Sequence, residues 1–195
     1  MADPQSLIDS ALRTIRIEHD AIAALLPRVD ESFARACQIM LDCEGRIVVT
    51  GMGKSGHIAR KIAATLSSTG TPAMFVHPAE ASHGDLGMIT GKDVLLALSN
   101  SGTTEELVNI LPLIKRKGVP FISMTGNPHS SMATTATVNI DASVTKEACP
   151  LGQAPTASTT VALVLGDALA MALLEAKGFT EEDFAFSHPG GRLGR

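Results

Sequence analysis

The sequence contains no tryptophan and no tyrosine, and its only aromatic rings besides histidine are six phenylalanines in 195 residues. Stacking a base or a sugar face on Tyr or Trp is therefore excluded, which removes a common device of single-stranded nucleic-acid binders. Excess basic charge is also missing. The formal net charge is −4, whereas a general nucleic-acid binder carries a positive field; a local basic pocket remains compatible with that balance. Cysteine is scarce: Cys37, Cys43 and Cys149 form an odd set with neither metal-ligand nor disulfide spacing, as expected in a reducing compartment. The opening MADPQSLIDS carries acidic residues and no apolar core, unlike a secretory signal. One long apolar stretch, Ala157 to Leu174, is broken by Thr159, Thr160, Gly166 and Asp167. It reads as a buried helix rather than a membrane span. These absences predict a cytoplasmic protein with no membrane and no nucleic acid among its partners.

What is present is ordinary globular material. The chain is 45% hydrophobic with 17 Gly and 10 Pro, and its length suits one domain with a full core. No internal repeat or low-complexity linker interrupts it. Residues 4–26 place Leu7, Ile8, Leu12, Ile15, Ile22 and Leu25 near helical spacing, Pro27 interrupts, and residues 31–43 resume the pattern until Gly45. Strands and helices then alternate. The sequence predicts strands at 46–50, 73–76, 93–98 and 121–124, with a short fifth at 137–140. Helices are expected at 54–68, 104–117 and 158–177. Continuous β-branched runs between helices indicate an α/β domain: three layers, doubly wound, with a five-stranded parallel sheet preceded by N-terminal helices. The division is 1–44 for those helices, which pack on the domain and the oligomer, and 45–195 for the domain itself.

Two short segments carry the functional signal. Gly51-Met52-Gly53-Lys54-Ser55-Gly56 and Ser99-Asn100-Ser101-Gly102-Thr103-Thr104 each follow an apolar run and precede a helical one. Right-handed crossovers put both at the C-terminal edge of the sheet, where ligands bind in open α/β folds. A small-residue loop opening onto a helix N-terminus offers backbone N–H groups, hydroxyls and a favourable dipole to an anion. Two such cradles point to one phosphorylated small molecule. The first loop fails as a P-loop, because Val48 stands where that motif needs Gly. It matches G-x-G-x-x-G, but the next strand ends at Val76 with His77-Pro78 after it, and the acid that a dinucleotide ribose needs is missing.

Read together, GMGKSGHIARK, STGTPAMFVHPAEASHGDLGM, SNSGTTEE, KEACPLGQAPTASTT and FSHPGGRLGR resemble the sugar isomerase (SIS) domain of phosphosugar isomerases, over nearly the whole chain from Gly45. The resemblance implies a flavodoxin-like strand order and interconversion of D-ribulose 5-phosphate with D-arabinose 5-phosphate, feeding Kdo and lipopolysaccharide synthesis. It further implies no cofactor, no required metal, and a homotetramer with active sites at subunit interfaces. Longer family members continue into a pair of CBS domains; the sequence given ends at Arg195.

An aldose–ketose isomerase needs a base for the carbon-bound proton, an acid/base for the oxygens, and a group that stabilises the enediolate. By resemblance the catalytic set is Lys54, His83, Glu106, Glu147 and His188. Substrate contacts fall to Ser55, Gly70, Thr71, His77, Ser99, Ser101, Thr103 and Thr104. Each has a plainer reading. Lys54 in a helix's first turn is mildly unfavourable unless it has work to do there. Thr103-x-x-Glu106 fits a capping box, and Glu105 and Glu106 point in different directions. Glu147 alone reads as a surface charge, and Cys149 beside it as structural. His77 suits an adventitious divalent ion, though two His six apart without a third ligand make a poor metal site. The Ser158-Thr159-Thr160 group suits a helix cap. Two rivals remain: a non-catalytic phosphosugar sensor, whose basic DNA-reading helix is not evident before Gly45, and an isomerase of another sugar phosphate such as sedoheptulose 7-phosphate.

Overall fold

The computed structural model describes residues 3–187. Five parallel strands form one sheet in the order β2-β1-β3-β4-β5: β1 Ile47–Gly51, β2 Ala73–Phe75, β3 Val94–Ser99, β4 Phe121–Thr125 and β5 Val138–Asp141. This is the flavodoxin-like order expected. Register pairs Ile47 with Val94, Leu95 with Phe121 and Ile122 with Val138. Every residue of β1, β3 and β4 is buried, which is why these strands read as mainly apolar runs rather than as alternating ones.

Side-chain alternation divides the core in two. Ile47, Val49, Leu96, Leu98, Ile122 and Met124 face one layer, made by α2 (Glu31–Leu41), α3 (Gly53–Ser68) and α7 (Ala157–Lys177). Val48, Leu95, Ala97 and Phe121 face the other, made by α4 (Pro78–Ser82), α5 (Glu105–Arg116) and α6 (Ser131–Thr135). α7 is long and apolar enough to cross a membrane, yet Val161, Leu165, Leu169 and Leu173 pack in this core. Gly166 lets it lie close on α3, since a Cβ there would overlap Ile62 Cδ1.

The N-terminal helices are not an independent unit. Ala36 and Met40 of α2 belong to the main core. Arg28 Nη1 donates to Ser143 O at 2.9 Å and pairs with Asp141 Oδ1 at 3.3 Å, tying the segment to the end of β5. The first helix, α1 (Pro4–Ala23), starts on an Asp3 cap and stops short of the expected Leu26, where a 3-10 turn over Leu26–Arg28 takes over. It buries no residue. Leu7, Ile8, Leu12 and Ile15 are 43–63% exposed along it.

α4, α6 and α8 (Glu181–Ser187) are absent from the sequence expectation. Each is only five to seven residues long, too short for a 3.6-residue pattern to show, and each is fixed by caps. Ser130 Oγ accepts from Ala133 N in α6, and Thr180 and Asp183 close a reciprocal capping box at α8.

Candidate active site

The C-terminal edge of the sheet carries the N-termini of α3, α5 and α7. Between α3 and α7 lies a cleft of about 40 Å³, where Ser55, Ser99, Asn100, Ser158 and Thr159 ring a floor that includes Ile58, Leu98 and Met124. The two loops singled out from the sequence therefore open on one space.

The second loop is a knot of hydroxyls. Ser99 Oγ lies 2.7 Å from Thr104 Oγ1 and 3.5 Å from Ser101 Oγ. It accepts from Gly102 N at 3.0 Å, while Ser101 Oγ accepts from Thr103 N and Thr103 Oγ1, both at 3.2 Å. The turn depends on Gly102, whose φ is +66° and whose Cβ would overlap Ser130 Oγ. Gly102→Ala is expected to cost upwards of about 1 kcal/mol of stability and to abolish phosphate-ligand stabilisation in a thermal-shift titration.

The capping box read at Thr103 and Glu106 does not form. α5 begins at Glu105 with Thr104 as its N-cap, and Thr103 donates to Ser101 instead. The hydroxyls are bound to one another, so neither reaches an α5 amide. Glu106 is left half-buried in the first turn, without a side-chain partner among the described residues, and Glu105 is exposed.

The three helix starts differ in charge. α3 has no side-chain cap and no acid in its first turn; Lys54 sits there, exposed and without an ion pair among the described residues. α5 carries Glu105 and Glu106. At α7 the cap comes from afar: Glu147 Oε2 accepts from Thr156 N at 2.8 Å, Thr156 Oγ1 at 2.9 Å and Ser158 N at 3.2 Å. Ser158, Thr159 and Thr160 are thus not the cap; the first two line the cleft, and Thr160 Oγ1 donates to Glu18 of α1 at 3.0 Å. An anion entering this edge meets least repulsion at the start of α3.

Burial pushes the Glu147 carboxyl up, but hydrogen bonds from Ser158 and Thr156 outweigh it and hold the group below its ordinary value. A depressed carboxyl stabilises the fold above the unfolded value, near 4.5, and that contribution disappears as pH falls through the lower folded value. Glu147→Gln should therefore cost about 1–2 kcal/mol at pH 7. The gap to wild type in thermal melts should close as pH drops below about 4. Next to it, the Cys149 thiol is lowered by backbone hydrogen bonds from Ala154, Gln153 and Leu151.

Two expected substrate contacts fall elsewhere. Gly70 and Thr71 follow the C-terminus of α3, at the opposite edge of the sheet. Thr71 is buried, Lys177 Nζ donates to its Oγ1 at 2.9 Å, and Phe179 packs where a Gly70 Cβ would stand. Neither reaches the cleft, because α3 spans the full height of the sheet between that cleft and them. His77 caps α4 through Nδ1, and His83 ends α4 with its ring exposed. No group of three or more His, Cys, Asp or Glu among the described residues is placed to hold a metal. His188 lies outside the described residues. Asn100, Ser158 and Thr159 are cleft residues that the sequence reading misses; the only sequence signal for the last two is a hydroxyl run opening a helix.

The order of the parallel sheet, with small-residue loops at its C-terminal edge, defines an α/β domain of the doubly wound class. The SIS domain profile matches residues 40–172. Arabinose 5-phosphate isomerase KdsD of Pseudomonas aeruginosa is 67% identical over 195 residues, covering 100% of this chain and 60% of that protein. KdsD of Escherichia coli K12 is 59% identical over 181 residues, covering 93% of this chain and 55% of that protein. The solved structure of E. coli CFT073 c3406 in complex with arabinose 5-phosphate matches with a TM-score of 0.93 at 44% identity, covering 96% of this chain and 100% of that one. The chain belongs to the SIS domain family. It spans 55–60% of the length of these curated relatives.

Proposed function

We propose that the chain is the isomerase domain of an arabinose 5-phosphate isomerase, interconverting D-ribulose 5-phosphate and D-arabinose 5-phosphate through an enediol and supplying Kdo synthesis in the cytoplasm. The observation that carries this reading is the pair of loops opening on one cleft in a chain 67% identical to a protein of that name. The arabinose 5-phosphate complex at 44% identity supports the same substrate class.

In this reading Ser99, Ser101, Thr103, Thr104 and Ser55 hold the phosphate. Lys54, at the uncapped start of α3, stabilises the enediolate oxygen. Glu106 is the proton-moving carboxylate, since it alone of the cleft-edge acids is half-buried with no other bond to make. It takes the C1 proton of the ketose, C1–C2 becomes the enediol double bond, and return of a proton to C2 gives the aldose. His83 and His188 relay protons between the oxygens. Glu147 acts as the fixed anion that holds α7 and the 147–156 loop at the cleft wall.

The site is shared between copies of a homotetramer. α7 starts at the cleft and carries the chain about 31 Å away at 1.5 Å per residue. In this reading His188, which lies outside the described residues, comes from a second copy. The small cleft and the exposed apolar stripe of α1 agree with a site roofed by a neighbour. Turnover of D-ribulose 5-phosphate, sedoheptulose 7-phosphate and a hexulose 6-phosphate, compared under metal chelation, tests the substrate. The first should be preferred by at least about tenfold in kcat/KM; preference for another ketose, or binding without turnover, overturns the reading.

A further inference from the structure

The second loop is braced from behind by the segment that leaves β4. Gly126 N donates to Asn100 O at 2.9 Å, and a Cβ on Gly126 would overlap Asn100 Oδ1, so the two turns lie in contact. Two residues further along the loop, Gly102 O accepts from Met132 N at 3.1 Å and from Ser131 Oγ at 3.3 Å. Both lone pairs of that carbonyl are in use. Ser130 Oγ fills the space where a Gly102 Cβ would stand. The brace is itself anchored, because Met132 is fully buried in one cluster with Leu107 and Ile110 of α5.

The Gly102 carbonyl and the Thr103 N–H belong to one trans peptide, so they point in opposite directions. With the oxygen held toward Ser131 and Met132, the N–H is turned to Ser101 Oγ, which accepts it at 3.2 Å. Glycine at 102 has no side chain to restrict that peptide plane. Its own N–H is tied to Ser99 Oγ at 3.0 Å. On the other side of the residue, the two bonds to its carbonyl set the plane.

We propose that Ser131 is a positioning residue for this loop: with the Met132 N–H, its hydroxyl fixes the Gly102–Thr103 peptide, so that the Thr103 N–H and the hydroxyls of Ser99, Ser101 and Thr104 are arranged for a phosphate before one binds. The binding consequence rests on the phosphate reading of the loop given above; the bracing of the peptide does not. A sugar's phosphate stands away from the reacting carbons and is held alike in ground and transition state. Loss of its preorganised site therefore falls on KM and not on kcat.

Ser131→Ala, Ser131→Thr and Thr134→Ala are compared with wild type. Thr134 is the control, because its hydroxyl bonds to Ser130 O and Ser131 O, within α6 and its cap. Three quantities are measured: exchange of the Thr103 N–H without ligand, Kd for inorganic phosphate and for D-arabinose 5-phosphate, and kcat and KM for D-ribulose 5-phosphate. In Ser131→Ala the Thr103 N–H should exchange roughly threefold faster. Both Kd values and KM should rise about 3- to 10-fold, the loss of one neutral hydrogen bond, with kcat within about twofold. Thr keeps the hydroxyl and should stay within about twofold of wild type throughout. A merely structural role would lower the melting temperatures of both Ala variants and leave Kd and KM alone. Unchanged Thr103 exchange or unchanged Kd in Ser131→Ala would overturn the proposal, as would equal losses of affinity in Thr134→Ala or a fall in kcat at constant KM. If wild type binds neither phosphate nor the sugar phosphate, it is the phosphate reading that fails, and Thr103 exchange still decides the brace.

Discussion

Lys54→Ala and His188→Ala chains, each nearly inactive alone, are expected to regain about a quarter of wild-type activity when denatured together in equal amounts and refolded. The arithmetic follows from a site built by two copies. A cleft with its own Lys54 meets a neighbour's intact tail in about one random pairing in four. Either variant refolded alone has no intact site in any arrangement. Two observations lead here: α7 takes the chain from the cleft to the far edge, where Lys177 bonds to Thr71, and Leu7, Ile8, Leu12 and Ile15 of α1 lie exposed. Gly70 and Thr71 lie at that same far edge. Recovery near zero in the mixture would mean that each cleft uses its own His188.

Glu106→Gln should lower kcat by about 10²–10⁴-fold, the range for loss of a positioned acid/base, with KM within about threefold and an unchanged melting temperature. The substitution is informative because Gln serves a capping box as well as Glu does. Had Glu106 been a cap, the variant would be nearly silent. The structure gives the carboxylate no capping bond to lose, since Thr104 is the N-cap and Thr103 is engaged by Ser101. Glu105→Gln, one residue away and exposed, should stay within about twofold of wild type. Equal losses in the two variants would point to the charge of the helix start rather than to a proton carried by Glu106.

The elements that the sequence displays well are those whose burial is regular along the chain. β1, β3 and β4 are buried throughout and largely apolar because both faces are covered, and α5 and α7 are long enough for a period and for their Gly118 and Gly178 stops to show. Short elements are different: α4, α6 and α8 owe their place to single caps at His77, Ser130 and Thr180, and one histidine or serine before a few residues is no pattern. At the site, the two anion loops are legible because glycines and hydroxyls cluster between a strand and a helix. The partner of each polar group is not. Glu147 reads as a surface charge until the fold brings the α7 start nine residues later onto its oxygen, and the Thr103 box has the right letters with its hydroxyl already spent on Ser101. Gly70 and Thr71 fall at the other edge because they follow the C-terminus of α3, and a resemblance names residues without giving their place in the fold.

The most direct test of the account is proton NMR of the purified protein with D-ribulose 5-phosphate in D₂O under metal chelation. The account predicts D-arabinose 5-phosphate carrying deuterium at C2, formed without added metal, because a base-held proton exchanges with solvent at the enediol before it returns. No conversion, with the same sugar phosphate bound, would contradict it and make the cleft a sensor's.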